Sequence, residues 1–211
     1  MVKIAVPSTL QQSIVHIGIL LVQSVINSFG STAIAGYSAG MRIESLSIVP
    51  MLAMGNAMST FTAQNMGAGK IDRVKEGYRM CYVIVLTAGA VLCVMYQLAG
   101  GAFVSLFLDS GSSEAYSVGL SYVKFLSFFY SFIGLKASTD GLLRGAGDVT
   151  AFTVANLVNL AIRVSVTNLF APIYGIQVAW MAVPLGWAAN YVISFGWYLT
   201  GKWKKVRVIK K

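Results

Sequence analysis

Met80-Cys81-Tyr82-Val83-Ile84-Val85-Leu86-Thr87-Ala88-Gly89-Ala90-Val91-Leu92-Cys93-Val94-Met95-Tyr96-Gln97-Leu98 runs without a charged residue and closes an apolar stretch that begins at Val74. The ~30 Å hydrocarbon core of a bilayer takes about 20 such residues as a helix, so Val74–Leu98 reads as a membrane span. Five further stretches of comparable length flank it: Ser8–Phe29, Ser31–Gln64, Tyr116–Leu135, Val149–Ala171 and Ile176–Leu199. The junctions between them alternate in charge. Lys3 precedes the first stretch, Lys70, Arg73, Lys75 and Arg79 gather at the second junction, Arg144 marks the fourth, and Lys202, Lys204, Lys205, Arg207, Lys210 and Lys211 follow the last. The first, third and fifth junctions hold no Lys or Arg, and the third carries Asp109 and Glu114. Positive loops stay inside, so both termini are expected to be cytoplasmic and the chain integral to the plasma (inner) membrane.

Composition agrees, with 56% hydrophobic residues, 11% charged residues and a formal net charge of +9. In a water-soluble chain that charge would suggest nucleic acid. Here every basic residue except Arg42, Lys124, Lys136 and Arg163 lies in or beside the cytoplasmic segments, where anionic lipid headgroups account for it. No basic stripe with interleaved aromatics stands outside the spans, so no nucleic-acid partner is expected. Residues 1–201 should form one all-α, six-helix membrane bundle and residues 202–211 a basic cytoplasmic tail, with Trp197, Tyr198 and Trp203 anchoring the interface. Cys81 and Cys93 lie about 18 Å apart along one helix, too far to bridge each other.

Pro50 and Pro184 fall inside spans two and six, where kinks are expected. Gly36 and Gly40 form a small-xxx-small pair suited to close helix approach, although glycine is frequent enough in membrane helices for coincidence. Two junctions share a glycine-ended design: Gln64-Asn65-Met66-Gly67-Ala68-Gly69-Lys70 and Leu143-Arg144-Gly145-Ala146-Gly147-Asp148. The first is not a phosphate loop, because Gln64 stands where its leading glycine belongs and Ile71 where its Ser or Thr belongs.

Polar residues stripe the spans. Gln12, His16, Gln23 and Asn27 fall on one face of the first; Ser121, Lys124, Ser127, Ser131 and Ser138 stripe the fourth; Asn156, Asn159, Arg163 and Thr167 stripe the fifth. Arg42, Ser38 and Ser45 begin a face on the second, and Glu44 is the deep acid there. Small polar groups bridge neighbouring helices in one account and line a hydrated cavity in the other. Midplane Arg42, Glu44, Lys124 and Arg163 favour the cavity, since charges there cost at least ~2.5–3.5 kcal/mol unless paired or hydrated. The transport-cavity candidates are therefore Gln12, His16, Gln23, Asn27, Arg42, Glu44, Lys124, Asn156, Asn159 and Arg163. Lys136, Asp140 and Arg144, spaced i,i+4, are expected to form a cytoplasmic ion network. His16 either bonds across helices or carries a proton. Without HExxH, paired Cys, GxSxG or a close acidic pair, neither catalytic nor metal residues are expected, and the chain reads as no enzyme.

Pro7-Ser8-Thr9-Leu10-Gln11-Gln12, Ile34-Ala35-Gly36-Tyr37 with Arg42-Ile43, and the two glycine-ended junctions, taken in this order, resemble the C-terminal half of the multidrug and toxic compound extrusion (MATE) family. The resemblance implies one lobe of a twelve-helix secondary antiporter that exports small compounds, drugs among them, against inward H+ or Na+, with no other cofactor. A missing N-terminal six-helix lobe, or a second copy of the chain, is the implied partner alongside lipid and substrate. Met1 stands where the family has a linker, so a truncated gene product, inactive alone, is expected, with a homodimer of half-transporters as the alternative. Some branches place a carboxylate in the lobe's first helix, and Ser8–Phe29 has none. The cation excess around Glu44 suits an anionic or zwitterionic substrate, which keeps the related lipid-linked oligosaccharide flippases open beside efflux. A non-transporting membrane subunit is the third reading.

Overall fold

The computed structural model describes residues 16–109 and 114–205, and the described residues are helical throughout apart from short connections. The helices are α1 (His16–Asn27), α2 (Ser31–Gly67), α3 (Ile71–Ser105), α4 (Glu114–Ser127), α5 (Tyr130–Gly145), α6 (Val149–Tyr174) and α7 (Gln177–Leu199), followed by a short 3-10 turn, Lys202–Lys205. By length and composition α2, α3, α6 and α7 can each cross a membrane, and α4 with α5 makes a fifth, bent crossing. Span one is described only from His16, so Gln12 and the Pro7–Gln12 motif lie outside the described residues, as do Gly111 and the tail beyond Lys205.

Burial has the polarity expected of a bilayer solvent. Leu98 is 84% exposed and Leu20 and Val192 are 68% exposed, whereas Asp140 is 4% and Asn190 0% exposed. Without a hydrophobic drive between helices in lipid, close packing over small residues must hold the bundle together. α2 is the centre of that packing, against α5 on one side and α4 on another, while α6 pairs with α7. Gly36 and Gly40 both serve the α2–α4 seam: a methyl group on Gly40 would stand 2.6 Å from the Tyr122 ring, and one on Gly36 2.7 Å from Val118 Cβ. Gly55, Gly141 and Gly145 bring the α2 and α5 backbones together in the same way.

The largest departure from the sequence reading is span four. A single helix was expected over Tyr116–Leu135, but the chain breaks after Ser127 and turns by 53° into α5. Gln97 of α3 supplies the cause: its Nε2 donates to the Lys124 carbonyl (2.8 Å) and to Ser127 Oγ (2.8 Å), and Ser127 Oγ donates to the same carbonyl (2.7 Å). That carbonyl no longer needs the amide four residues on, so the helix can end inside the bundle with its polar groups satisfied. The predicted Ser121-to-Ser138 stripe is split by the bend: Ser121 is exposed while Ser127 and Ser138 are buried.

α2 and α3 contain 37 and 35 residues, far more than a straight crossing needs. Helix α2 stays continuous through Pro50. The two glycine-ended junctions are built alike. Gly69 (φ 71°) and Gly147 (φ 84°) take the left-handed conformation, and Lys70 N–H bonds Asn65 O (2.8 Å) as Asp148 N–H bonds Leu143 O (2.9 Å). Trp203 lies on the tail side of the predicted boundary at residue 201. It is nevertheless completely buried, stacked on Tyr198 at 5.6 Å with its indole N–H on the Tyr198 carbonyl (3.0 Å), so packing of the lobe continues into the 3-10 turn.

Candidate functional site

A cleft of about 110 Å³ opens between α1, α2 and α6. Gly18 lets α1 approach Leu160 of α6, and the gap below that contact is edged by Gln23, Tyr37, Asn156, Asn159 and Arg163. The α6 residues arrive by helical period: Asn156, Asn159 and Arg163 are spaced i, i+3 and i+7 and so share a face. Gln23 Nε2 donates to Asn27 Oδ1 at 2.9 Å along α1. Asn159 Oδ1 is buried without a hydrogen-bond partner, where Asn159 and Arg163 pack on Gly186 of α7. An unsatisfied buried amide oxygen costs roughly 1–3 kcal/mol.

Glu44 sits behind this cleft. It accepts a hydrogen bond from Tyr122 Oη. Tyr37 meets Tyr122 edge to face, with centroids 5.2 Å apart, and so connects the cleft wall to the carboxylate. Tyr37 and Tyr122 escaped the sequence reading of site residues because only tertiary packing carries two tyrosines on different helices to one acid.

The remaining candidates are elsewhere. His16 and Asn27 are exposed on α1 and do not edge the cleft. Arg42 projects from the opposite side of α2 into a separate hollow with Ser38, Phe107 and Leu108. Lys124 lies along α3 beside Gly100. The four midplane charges do not gather in one cavity: Arg163 edges the cleft, Arg42 lines a separate hollow and Lys124 packs beside Gly100. The cation excess counted along the sequence is dispersed in space.

The expected Lys136-Asp140-Arg144 ladder is half formed. Lys136 Nζ pairs with Asp140 Oδ2 at 3.0 Å, whereas Arg144 turns away to Asn56 Oδ1 (2.8 Å) and over the Phe152 ring (5.5 Å). Asp140 is buried and cross-helical rather than a rim residue. Ser194 Oγ donates to its Oδ1 (2.7 Å), and Asn156 Nδ2 lies 3.4 Å from its Oδ2. Asn156 Oδ1 accepts from Lys136 Nζ at 3.1 Å, so the residue that edges the cleft also borders the ion pair. Asn190 and Ser194, one turn apart on α7, carried no signal in the sequence beyond being polar within an apolar run. Among the described residues no group of three His, Cys, Asp or Glu side chains is placed to hold a metal ion.

Known proteins of the same build account for the architecture. The family model described as MatE matches residues 7–170. The probable multidrug resistance protein YpnP of Bacillus subtilis (strain 168) is 28% identical over 207 residues, covering 98% of this chain and 46% of that protein. The probable multidrug resistance protein NorM of Thermotoga maritima is 21% identical over 218 residues, covering 99% of this chain and 45% of that protein. Among solved structures, a multidrug resistance MATE family transporter of the MOP superfamily in an outward-facing conformation superposes with a TM-score of 0.85 at 17% identity, over 98% of this chain and 46% of that one. The MOP superfamily transporter from Pyrococcus furiosus Vc1, whose binding pocket has reversed polarity, superposes equally well (TM-score 0.85, 17% identity, 95% and 44% coverage). The chain thus spans about half the length of the curated relatives it matches. By its helical bundle, its paired glycine-ended junctions and a family model that covers most of its length, this chain belongs to the MatE family of membrane transporters and is no enzyme.

Proposed function

We propose that this chain forms the C-terminal lobe of a MATE-type secondary antiporter exporting drugs or other small compounds against an inward H+ or Na+ gradient, and that the cleft beside Arg163 is its share of the substrate path. The observation that carries this reading is the cleft itself: amide and guanidinium groups of α1 and α6 line one cavity in a bundle whose outer surface is apolar. The similarity to YpnP and NorM, probable multidrug resistance proteins, supports efflux as the activity. Efflux is favoured over the flipping of lipid-linked oligosaccharides because Arg42 and Lys124 lie outside the cleft, leaving Arg163 as the cation that edges it. A single cation among neutral amides suits a small compound better than a polyanion. Both termini are assigned to the cytoplasm of a plasma (inner) membrane.

Alternating access in such folds is largely one repeat rocking against another, so a single lobe should not transport by itself. The test is reconstitution into liposomes of the chain alone, and of the chain co-produced with a six-helix N-terminal lobe, under an imposed H+ or Na+ gradient. The chain alone should be inactive and the pair active. Arg163→Ala should lower the paired rate by about tenfold, near 1.4 kcal/mol, with membrane insertion unchanged. Gradient-driven uptake by the lone chain as a crosslinkable dimer would overturn the two-lobe assignment, and an unaltered rate in Arg163→Ala would remove the cleft from the substrate path.

A further inference from the structure

The Lys136–Asp140 pair is not an ordinary rim ion pair. Its side chains are only 13% and 5% exposed, and it lies where α5, α6 and α7 meet. Around it stands a set of oxygens: Asp140 Oδ1 and Oδ2, Asn156 Oδ1, Ser194 Oγ and Asn190 Oδ1, the last reached by Ser194 at 3.4 Å. One carboxylate with neutral amide and hydroxyl oxygens is the ligand chemistry of a hard cation. A single charge on the protein side matches a monovalent ion, and among the described residues no group of three His, Cys, Asp or Glu side chains gathers there to hold a divalent metal. The Lys136 ammonium occupies the place such an ion would take, 3.0 Å from the carboxylate and 3.1 Å from the Asn156 oxygen.

We propose that Asp140, Asn156, Asn190 and Ser194 form a monovalent-cation site between α5, α6 and α7 whose cation is supplied by the chain itself, as the Lys136 ammonium. Two further observations fit. Lys136 rises from the same helix as Asp140 one turn earlier, so its stem delivers the charge without any opening to solvent. The Asn190 amide nitrogen is buried without a partner, as expected where an amide is turned to present its oxygen to the polar cluster. A site filled in this way needs no ion from solution, and any coupling ion of the assembled transporter acts elsewhere. Removing the ammonium leaves a buried carboxylate uncompensated, a state that strongly favours capture of a cation of suitable size.

The experiment compares thermal unfolding of the purified chain in lipid nanodiscs, wild type and Lys136→Met, in NaCl and in choline chloride at equal ionic strength. Wild type should unfold at the same temperature in both salts. Lys136→Met should be destabilised in choline and regain about 3–5 °C in NaCl, an effect absent from Lys136→Met/Asp140→Asn. A variant that folds only in NaCl also supports the site. A Na+-specific shift in wild type, an equal response of Lys136→Met in the two salts, failure of that variant to fold in either, or a Na+ effect that survives in the double variant would each overturn it.

Discussion

Gly55→Ala places one methyl group where α2 meets α5, and the structure sets its consequence. The added Cβ would stand 2.6 Å from the Ala137 carbonyl oxygen, against 3.4 Å for an ordinary contact, so the helices must part by 0.8 Å, the difference of the two. The obstacle is backbone, which cannot rotate aside as a side-chain tip would. A gap of that size forfeits about a third of each dispersion contact along the seam; for roughly 40 atom pairs at ~0.15 kcal/mol each, the loss is ~2 kcal/mol. That falls in the ~1–3 kcal/mol range of overpacked cores. Replacing helical glycine by alanine returns up to about 1 kcal/mol of propensity, leaving a net loss of ~1–2 kcal/mol. Gly196→Ala is the control, since Gly196 is also helical but its new methyl group would meet nothing within 4 Å. Unfolding in mixed micelles, followed by tryptophan fluorescence, should separate the two variants by about 2 kcal/mol, with Gly196→Ala equal to or more stable than wild type. Equal stability of the two variants would refute the argument that backbone contact at Gly55 holds α5, and with it Lys136 and Asp140, in place.

Two further outcomes follow from the same structure. Trp203→Ala empties a completely buried site under Tyr198 and should cost about 3–5 kcal/mol in the same unfolding measurement, so a loss below about 1 kcal/mol would return the residue to a solvated tail. A topology reporter fused after Gly69 should be cytoplasmic and one inserted at Gly111 external; Gly111 on the inside would contradict the arrangement of spans.

The family, the glycine-marked helix ends and the apolar stretches of spans two, three, five and six were legible in the sequence because they depend on local quantities. Hydropathy over about 20 residues marks a crossing, and Gly69 and Gly147 end helices through their own backbone conformation. The i, i+3, i+7 spacing of Asn156, Asn159 and Arg163 likewise gathers them on one face whatever α6 packs against. The tertiary structure decided which polar faces meet. It broke the fourth span because Gln97, from another helix, takes the Lys124 carbonyl. It laid Lys124 against Gly100 of α3 and Arg42 in a hollow with Phe107 and Leu108, apart from the cleft that Arg163 edges, because the neighbours of each helix are set by close packing at Gly40, Gly55 and Gly141 rather than by the charges. It also drew Asp140 inward to Ser194 and Asn156 and turned Arg144 outward to Asn56, although the i,i+4 spacing offers both arginine and lysine to the same carboxylate. A sequence fixes the depth and phase of each side chain on its own helix, whereas its partners depend on the rotation and separation of helices distant along the chain, and in this bundle those are set by glycines whose contacts only the folded lobe contains.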